Sequence, residues 1–214
     1  MPDIIQMPYQ IMRAINCDWD IDWRSQSSGE GTDGVEQIFL NPFPRWIGSP
    51  SLALYGDLVK DWRAVRAKLR GRVNVLRVPL VDYDDLPDAY GTDSRAINGT
   101  GLGDGPTVSV VSVAGAGANS VVVSRGLYPI LVGSFISIKD WPYAVVGVEQ
   151  GSNAQRVYIE MPLRRAVAQD DVVNLRAHGL FKATEDAMGS INVGANGFTQ
   201  VDLTLREWIG PGRA

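Results

Sequence analysis

Cysteine and histidine are almost missing from this chain of 214 residues, which holds one of each, Cys17 and His178. A single thiol excludes an intrachain disulfide and a cysteine-built zinc cage, and Cys17 reads as a buried structural thiol. A single imidazole means that a histidine-based metal site or a serine-hydrolase triad would rest on His178 alone. The nucleophile-elbow pattern Gly-x-Ser-x-Gly is absent, and Ala177-His178-Gly179-Leu180-Phe181 reads as the edge of a strand. Long hydrophobic runs are absent too: none reaches the roughly 18 apolar residues of a membrane span, and the opening MPDIIQMPYQ lacks the basic region and apolar core of a secretory signal. The expectation is a soluble protein made in the cytoplasm. Excess positive charge is also missing, and a formal net charge of -4 removes the basic field that would draw nucleic acid, six tryptophans notwithstanding. Lysine is scarce beside arginine, as interface selection favours and as the codon usage of a GC-rich genome also produces.

Hydrophobic residues make up 45% of the chain, enough for a buried core in one sizeable domain or two small ones. One segment has helical periodicity. Leu58, Trp62, Val65 and Leu69 fall on one face of a helix over about 56–70, while Lys60, Asp61, Arg63, Arg66, Lys68 and Arg70 take the other. Asp57 suits the first turn, and Arg70 before Gly71 suits the last. Trp62 therefore belongs to the core. The flanking runs Ser51–Leu54 and Val73–Val78 are strand-like, so the helix packs on a sheet.

Ile11–Asp22 and Val35–Leu40 read as strands separated by a polar, glycine-rich loop, Arg24–Gly34. Residues 81–106, dense in Asp, Gly and Pro, are a long loop that marks a boundary. Beyond it, Thr107–Val113 and Val121–Ser124 suggest a hairpin, and short strands follow at Phe135–Ile138, Tyr143–Val148, Arg156–Met161 and Val172–Leu175, the spacing of a small barrel or sandwich. The run Phe198–Trp208 alternates, with Val201, Leu203 and Leu205 opposite Asp202, Thr204 and Arg206, and can return to the first domain. The expected architecture is mainly β: residues 1–105 with about 189–214 form a sheet with one flanking helix, and 106–188 form a second small β-barrel.

The cluster Asp82, Asp84, Asp85, Asp88 and Asp93 is the metal candidate, with oxygen ligands suited to calcium; the EF-hand spacing fails, however, and solvated acidic turns have the same composition. The glycines at 99, 101, 103 and 105 lack the spacing and βαβ setting of a dinucleotide loop and read as a linker. Trp19 and Trp23 are four apart, on one face if both lie on a strand, and are candidates for an interface or a glycan contact. Trp141 and Tyr143 are the corresponding candidates on the barrel. No catalytic constellation and no cofactor motif is visible.

Several short motifs occur in order along most of the chain: Pro44-Arg45-Trp46 leading to Ser51-Leu52-Ala53-Leu54, a helix with Trp62 ending in Leu69-Arg70-Gly71-Arg72, Leu131-Val132-Gly133-Ser134-Phe135-Ile136-Ser137-Ile138, Met161-Pro162-Leu163-Arg164, and Gly179-Leu180-Phe181-Lys182. Together they resemble a family of minor tail proteins of siphophages and gene transfer agents. Met161 stands where that family usually has proline, Ser134 replaces an acidic residue, and the ending Leu205-Arg206-Glu207-Trp208-Ile209 departs from the pattern as well. The resemblance implies a distal tail protein: a ring, usually of six copies, that joins the tail tube to the baseplate hub. It further implies a tail-tube-like domain with one helix, an oligosaccharide-binding-like (OB-like) small barrel, a place at the tail tip of the virion after assembly in the host cytoplasm, and no enzymatic activity. Its partners would be other copies of itself, the tail tube protein, the hub and other tip proteins. The competing readings are another minor tail subunit, such as a tube terminator or tip protein, a carbohydrate-binding adhesion module of the tail, and a glycan hydrolase with no visible acid pair.

Overall fold

The structure, a computed structural model, describes residues 2–8, 11, 15–16, 18–30, 32–41, 43–80, 106–126, 128–192, 194, 197–210 and 213. The chain is mainly β, and the helix Asp57–Leu69 packs on its sheets. The helix buries Val59, Trp62, Val65 and Leu69. Leu58, expected on that stripe, is only half-buried, and Val59 one position on takes its place. Each fully buried side chain of this size contributes ~1.5–3 kcal/mol. The helix stops because Arg70 and Gly71 both turn left-handed, at φ 51° and 66°, and Asn74 N–H then donates to Leu69 O at 3.1 Å. Asn74 itself is buried, donating to Lys68 O at 2.8 Å and accepting from Asp3 N–H at 3.0 Å. That one side chain ties the end of the helix to the first strand.

A six-stranded sheet runs in the order Ile4–Gln6, Val75–Pro79, His178–Ala183, Leu205–Glu207, Arg45–Gly48, Trp19–Asp22. The first pair is parallel and the others antiparallel. A second six-stranded sheet, in the order Ser120–Ser124, Ala154–Ile159, Trp141–Gln150, Phe135–Ile138, Val172–Asn174, Thr107–Ser109, curls into a half-barrel until a bridge between Val110 and Val123 brings its end strands together. Phe198–Asp202, Ser51–Tyr55 and Ile15–Asn16 form a three-stranded sheet, and Gln26–Glu30 pairs with Glu36–Phe39 as a separate hairpin.

Three sequence expectations change. His178–Ala183, grouped with the barrel, is hydrogen-bonded between Val75–Pro79 and Leu205–Glu207 in the first sheet, because its residues are buried on both faces. Thr107–Ser109 pairs with Val172–Asn174, and the hairpin expected of Thr107–Val113 and Val121–Ser124 is narrower, closed where Val110 bridges Val123 and Val111 N–H donates to Val122 O at 2.8 Å. The alternating run 198–208 is two strands, broken at Leu203-Thr204, which serve different sheets. Leu203 N–H donates to Pro50 O at 2.9 Å and holds the corner. The long loop 81–105, with its glycines, lies outside the described residues.

The two large sheets meet along one seam. Trp46 Nε1 donates to Pro142 O at 2.9 Å, and the Trp46 ring stands edge-on to Phe135, centroids 5.2 Å apart. At Gly179 a Cβ would lie 2.4 Å from the Phe181 ring and 3.2 Å from Pro142, so the strand approaches closely only because this position has no side chain.

Candidate assembly surfaces

The hairpin Gln26–Glu30/Glu36–Phe39 is exposed along both strands. Its second strand and the residues flanking that strand include Val35, Ile38, Phe39, Leu40 and Phe43, between 58% and 74% exposed. Alternation sends Ile38 and Phe39 to opposite faces, so neither face is polar throughout. An isolated two-stranded hairpin is marginal in water. This one also places Glu30 directly opposite Glu36, a like-charge pair that weakens it further. Ser27 Oγ donates to Glu36 Oε1 at 2.6 Å, but among the described residues neither glutamate has a cationic partner. Among the described residues nothing covers this arm.

The arm leaves the molecule between Trp19–Asp22 and Arg45–Gly48, at one edge of the first sheet. The opposite edge is Ile4–Gln6, its outer side unpaired among the described residues, with Ile4 57% exposed. The helix Asp57–Leu69 lies beside this edge. Their junction forms a shallow groove of about 460 Å³ lined by Ile4, Ile5, Ala64, Val65 and Lys68 among others. A neighbouring groove of about 330 Å³ runs along Arg63, Arg66 and Arg70. These arginines, at steps of three and four, share a helix face and repel one another. Arg66 Nε donates to Met188 O at 3.2 Å, while among the described residues Arg63 and Arg70 pair with no acid. Asp186, on the rim, is already engaged by Arg72 at 3.0 Å.

A third feature is the buried charge cluster in the seam. Glu207 Oε2 accepts from Trp46 N–H at 3.1 Å and from Arg164 Nη2 at 3.2 Å, and Arg213 Nη1 lies 4.0 Å from Glu207 Oε1. Arg164 also donates to Pro44 O, and Arg213 to Trp208 O and Asp140 O. The Arg213 guanidinium sits 3.5 Å from the centroid of Trp141, a cation–π contact. Tyr143 Oη accepts from Arg164 N–H at 3.0 Å. Burial pushes the Glu207 carboxyl above its ordinary value, although Arg164, the Trp46 N–H and Arg213 all pull it back. Burial likewise draws Arg213 down and pushes the Tyr143 phenol up to about 12. Beside the cluster, Arg77 Nε pairs with Asp140 Oδ1 at 2.6 Å, linking the first sheet to a turn of the half-barrel. These groups join one sheet to the other, with the Glu207, Arg164 and Arg213 side chains nearly fully buried.

The tryptophans expected as surface contacts are thus divided. Trp141 and Tyr143 are buried in the seam, where Arg213 and Arg164 need an aromatic face and an acceptor, so neither is a platform for a sugar ring. Trp19 leans on Phe181, centroids 5.1 Å apart, and over Gly48, where a Cβ would strike its ring. Trp23 lies beyond the strand at the foot of the arm, partly exposed, and does not share the Trp19 packing. His178 is buried, its Nδ1 2.9 Å from Arg176 O and its N–H donating to Ser137 Oγ. Asp82, Asp84, Asp85, Asp88, Asp93 and Cys17 lie outside the described residues. Among the described residues no group of three potential metal ligands occurs, and no helix is long and apolar enough to cross a membrane.

Sequence reading missed the arm's first strand because QSSGE has no apolar alternation to betray it. The Glu207 cluster was legible in part: continuing the series Val201, Leu203, Leu205 by two places puts an acid on a core face. No family model and no curated protein sequence matches the chain.

Proposed function

We propose that this chain is a structural virion subunit, a distal tail protein whose copies close into a ring, six in number by the family resemblance, between the tail tube and the baseplate hub. The observation that carries the reading is the projecting arm 26–39 with its exposed Ile38 and Phe39, continued by Leu40 and Phe43, since an apolar patch of this kind marks a contact with another protein. A ring needs two different complementary surfaces on each copy. The arm at one edge of the first sheet and the grooves at the other meet that requirement. The ordered motifs, including the Met161–Arg164 turn whose arginine reaches Glu207, support the tail-protein assignment within that class. The half-barrel would face outward, held on the ring wall by the seam. The carbohydrate-adhesion reading loses two of its stacking platforms, because Trp141 and Tyr143 are occupied.

The work of such a subunit is geometric: it transmits symmetry and position between tube and hub and breaks no bond. The test is to express the chain with its neighbouring tail proteins and to image particles carrying a labelled copy by electron microscopy. A ring of label at the end of the tube is expected; intact particles devoid of label would refute the assignment.

A further inference from the structure

We infer that the acidic arm of one copy docks on the arginine-lined helix face of the next, with Glu30 and Glu36 on the row Arg63, Arg66, Arg70 and the apolar strand beside the Ile4 edge. The inference rests on the ring reading and names the contact that would build it.

Charge is the first argument. The arm Gln26–Phe39 contains Glu30, Asp33 and Glu36 and no cation, whereas Asp57–Arg72 contains six cationic side chains and two acidic ones, in a chain whose net charge is -4. Each surface is unfavourable by itself. Glu30 faces Glu36 across the hairpin, and the three arginines line one helix face with no acid of their own row to relieve them. Brought together, each removes the other's repulsion, and guanidinium–carboxylate pairs add directional hydrogen bonds.

Position is the second argument. The arm rises from the edge formed by Trp19–Asp22 and Arg45–Gly48, and the helix face adjoins the edge Ile4–Gln6. Six strands separate the two edges by roughly 24 Å at ~4.8 Å per strand. The arm, exposed on both strands, does not fold back across that distance, so the matching surface it can reach belongs to another copy. A contact between opposite edges is head-to-tail and closes into a ring when its rotation allows.

Shape is the third. The arginine groove and the Ile4 groove are joined by a third, which shares Ala67 and Arg70 with one and Ile5 and Lys68 with the other. Along the arm, Ile38 lies two residues from Glu36, ~7 Å further down the strand. Carboxylates near the tip and apolar side chains below them therefore match a basic groove continuous with an apolar one.

The test uses the full chain and two variants, E30K/E36K on the arm and R63E/R70E on the helix, with sedimentation velocity as the readout and circular dichroism as the check of folding. Wild-type self-association is expected to weaken with added salt, and each variant alone to associate at least tenfold more weakly. An equimolar mixture of the two should recover assembly, because a basic arm then meets an acidic helix and the acidic arm of the other chain still meets a basic one. Placing all four substitutions in one chain should also restore it. If R63E/R70E does not fold, the arm variant alone decides, since its positions are exposed. Variants that assemble as well as wild type would overturn this contact and leave the ring reading standing. A mixture without recovery, or a wild-type chain that stays monomeric at low salt and high concentration, would also overturn it, and the labelled-particle image tests the ring reading separately.

Discussion

Glu207 is the residue on which most of the seam converges, and its environment makes opposite predictions for different substitutions. Arg164→Ala leaves a carboxylate buried beside a distant second guanidinium, and is expected to cost about 3–5 kcal/mol. Glu207→Gln paired with Arg164→Met should recover much of that loss, a result that thermal unfolding of the double-mutant cycle would check. Tyr143 supplies a pH prediction. An unfolded phenol ionises near 10 and this one near 12, so the folded state retains a proton that the unfolded state releases. The stability carried by the neutral phenol is complete below pH 10 and is lost as pH rises from 10 through about 12, by up to roughly 3 kcal/mol. Absorbance titration should show one tyrosine lagging the others and unfolding in the same window. Gly189 is a third sensitive position: at φ 65° a Cβ would lie 2.3 Å from the Trp62 ring, whose Nε1 already donates to Gly189 O. Gly189→Ala should destabilise by about 2–4 kcal/mol, seen as a melting temperature several degrees lower. None of these roles could be read from composition, because parity places Glu207 on a core face without naming the arginines that meet it there.

Among the elements, the helix was the most legible, since a single apolar stripe over 13 residues specifies both its existence and its buried face. Its first turn departs from the stripe, burying Val59 in place of Leu58, a one-residue shift that the apolar spacing does not specify. The short strands of the half-barrel were legible in position but not in partnership: which strand lies beside Thr107–Ser109 depends on closure over more than 60 residues, and local alternation carries no such information. The arm was half legible, through Glu36–Phe39 only. Because it contributes exposed side chains and almost no core, replacing 27–37 by a short Asn-Gly turn should change stability by less than about 1 kcal/mol. The same deletion should abolish self-association, a dissociation of the two effects that calorimetry and light scattering would record together.

At the scale of the molecule, two six-stranded sheets share a charged seam, and the arm and the grooves of the proposed contact sit at the two far edges of the first. In the ring we propose, the duties would be separate: the first sheet with its arm and helix would make the contacts between copies, and the half-barrel would be carried by it. The order of pairing also has a consequence for biosynthesis. Every strand of the half-barrel lies between Thr107 and Asn174, so that unit is complete once the ribosome has released this stretch. The first sheet is interrupted until Leu205–Glu207 arrives to bridge His178–Ala183 and Arg45–Gly48, and Phe198–Asp202 must emerge before Ser51–Tyr55 gains a neighbour on that side. A nascent chain therefore carries a finished barrel while the arm and the helix have no rigid wall to stand on, which would delay the proposed self-assembly until translation of the whole framework is done.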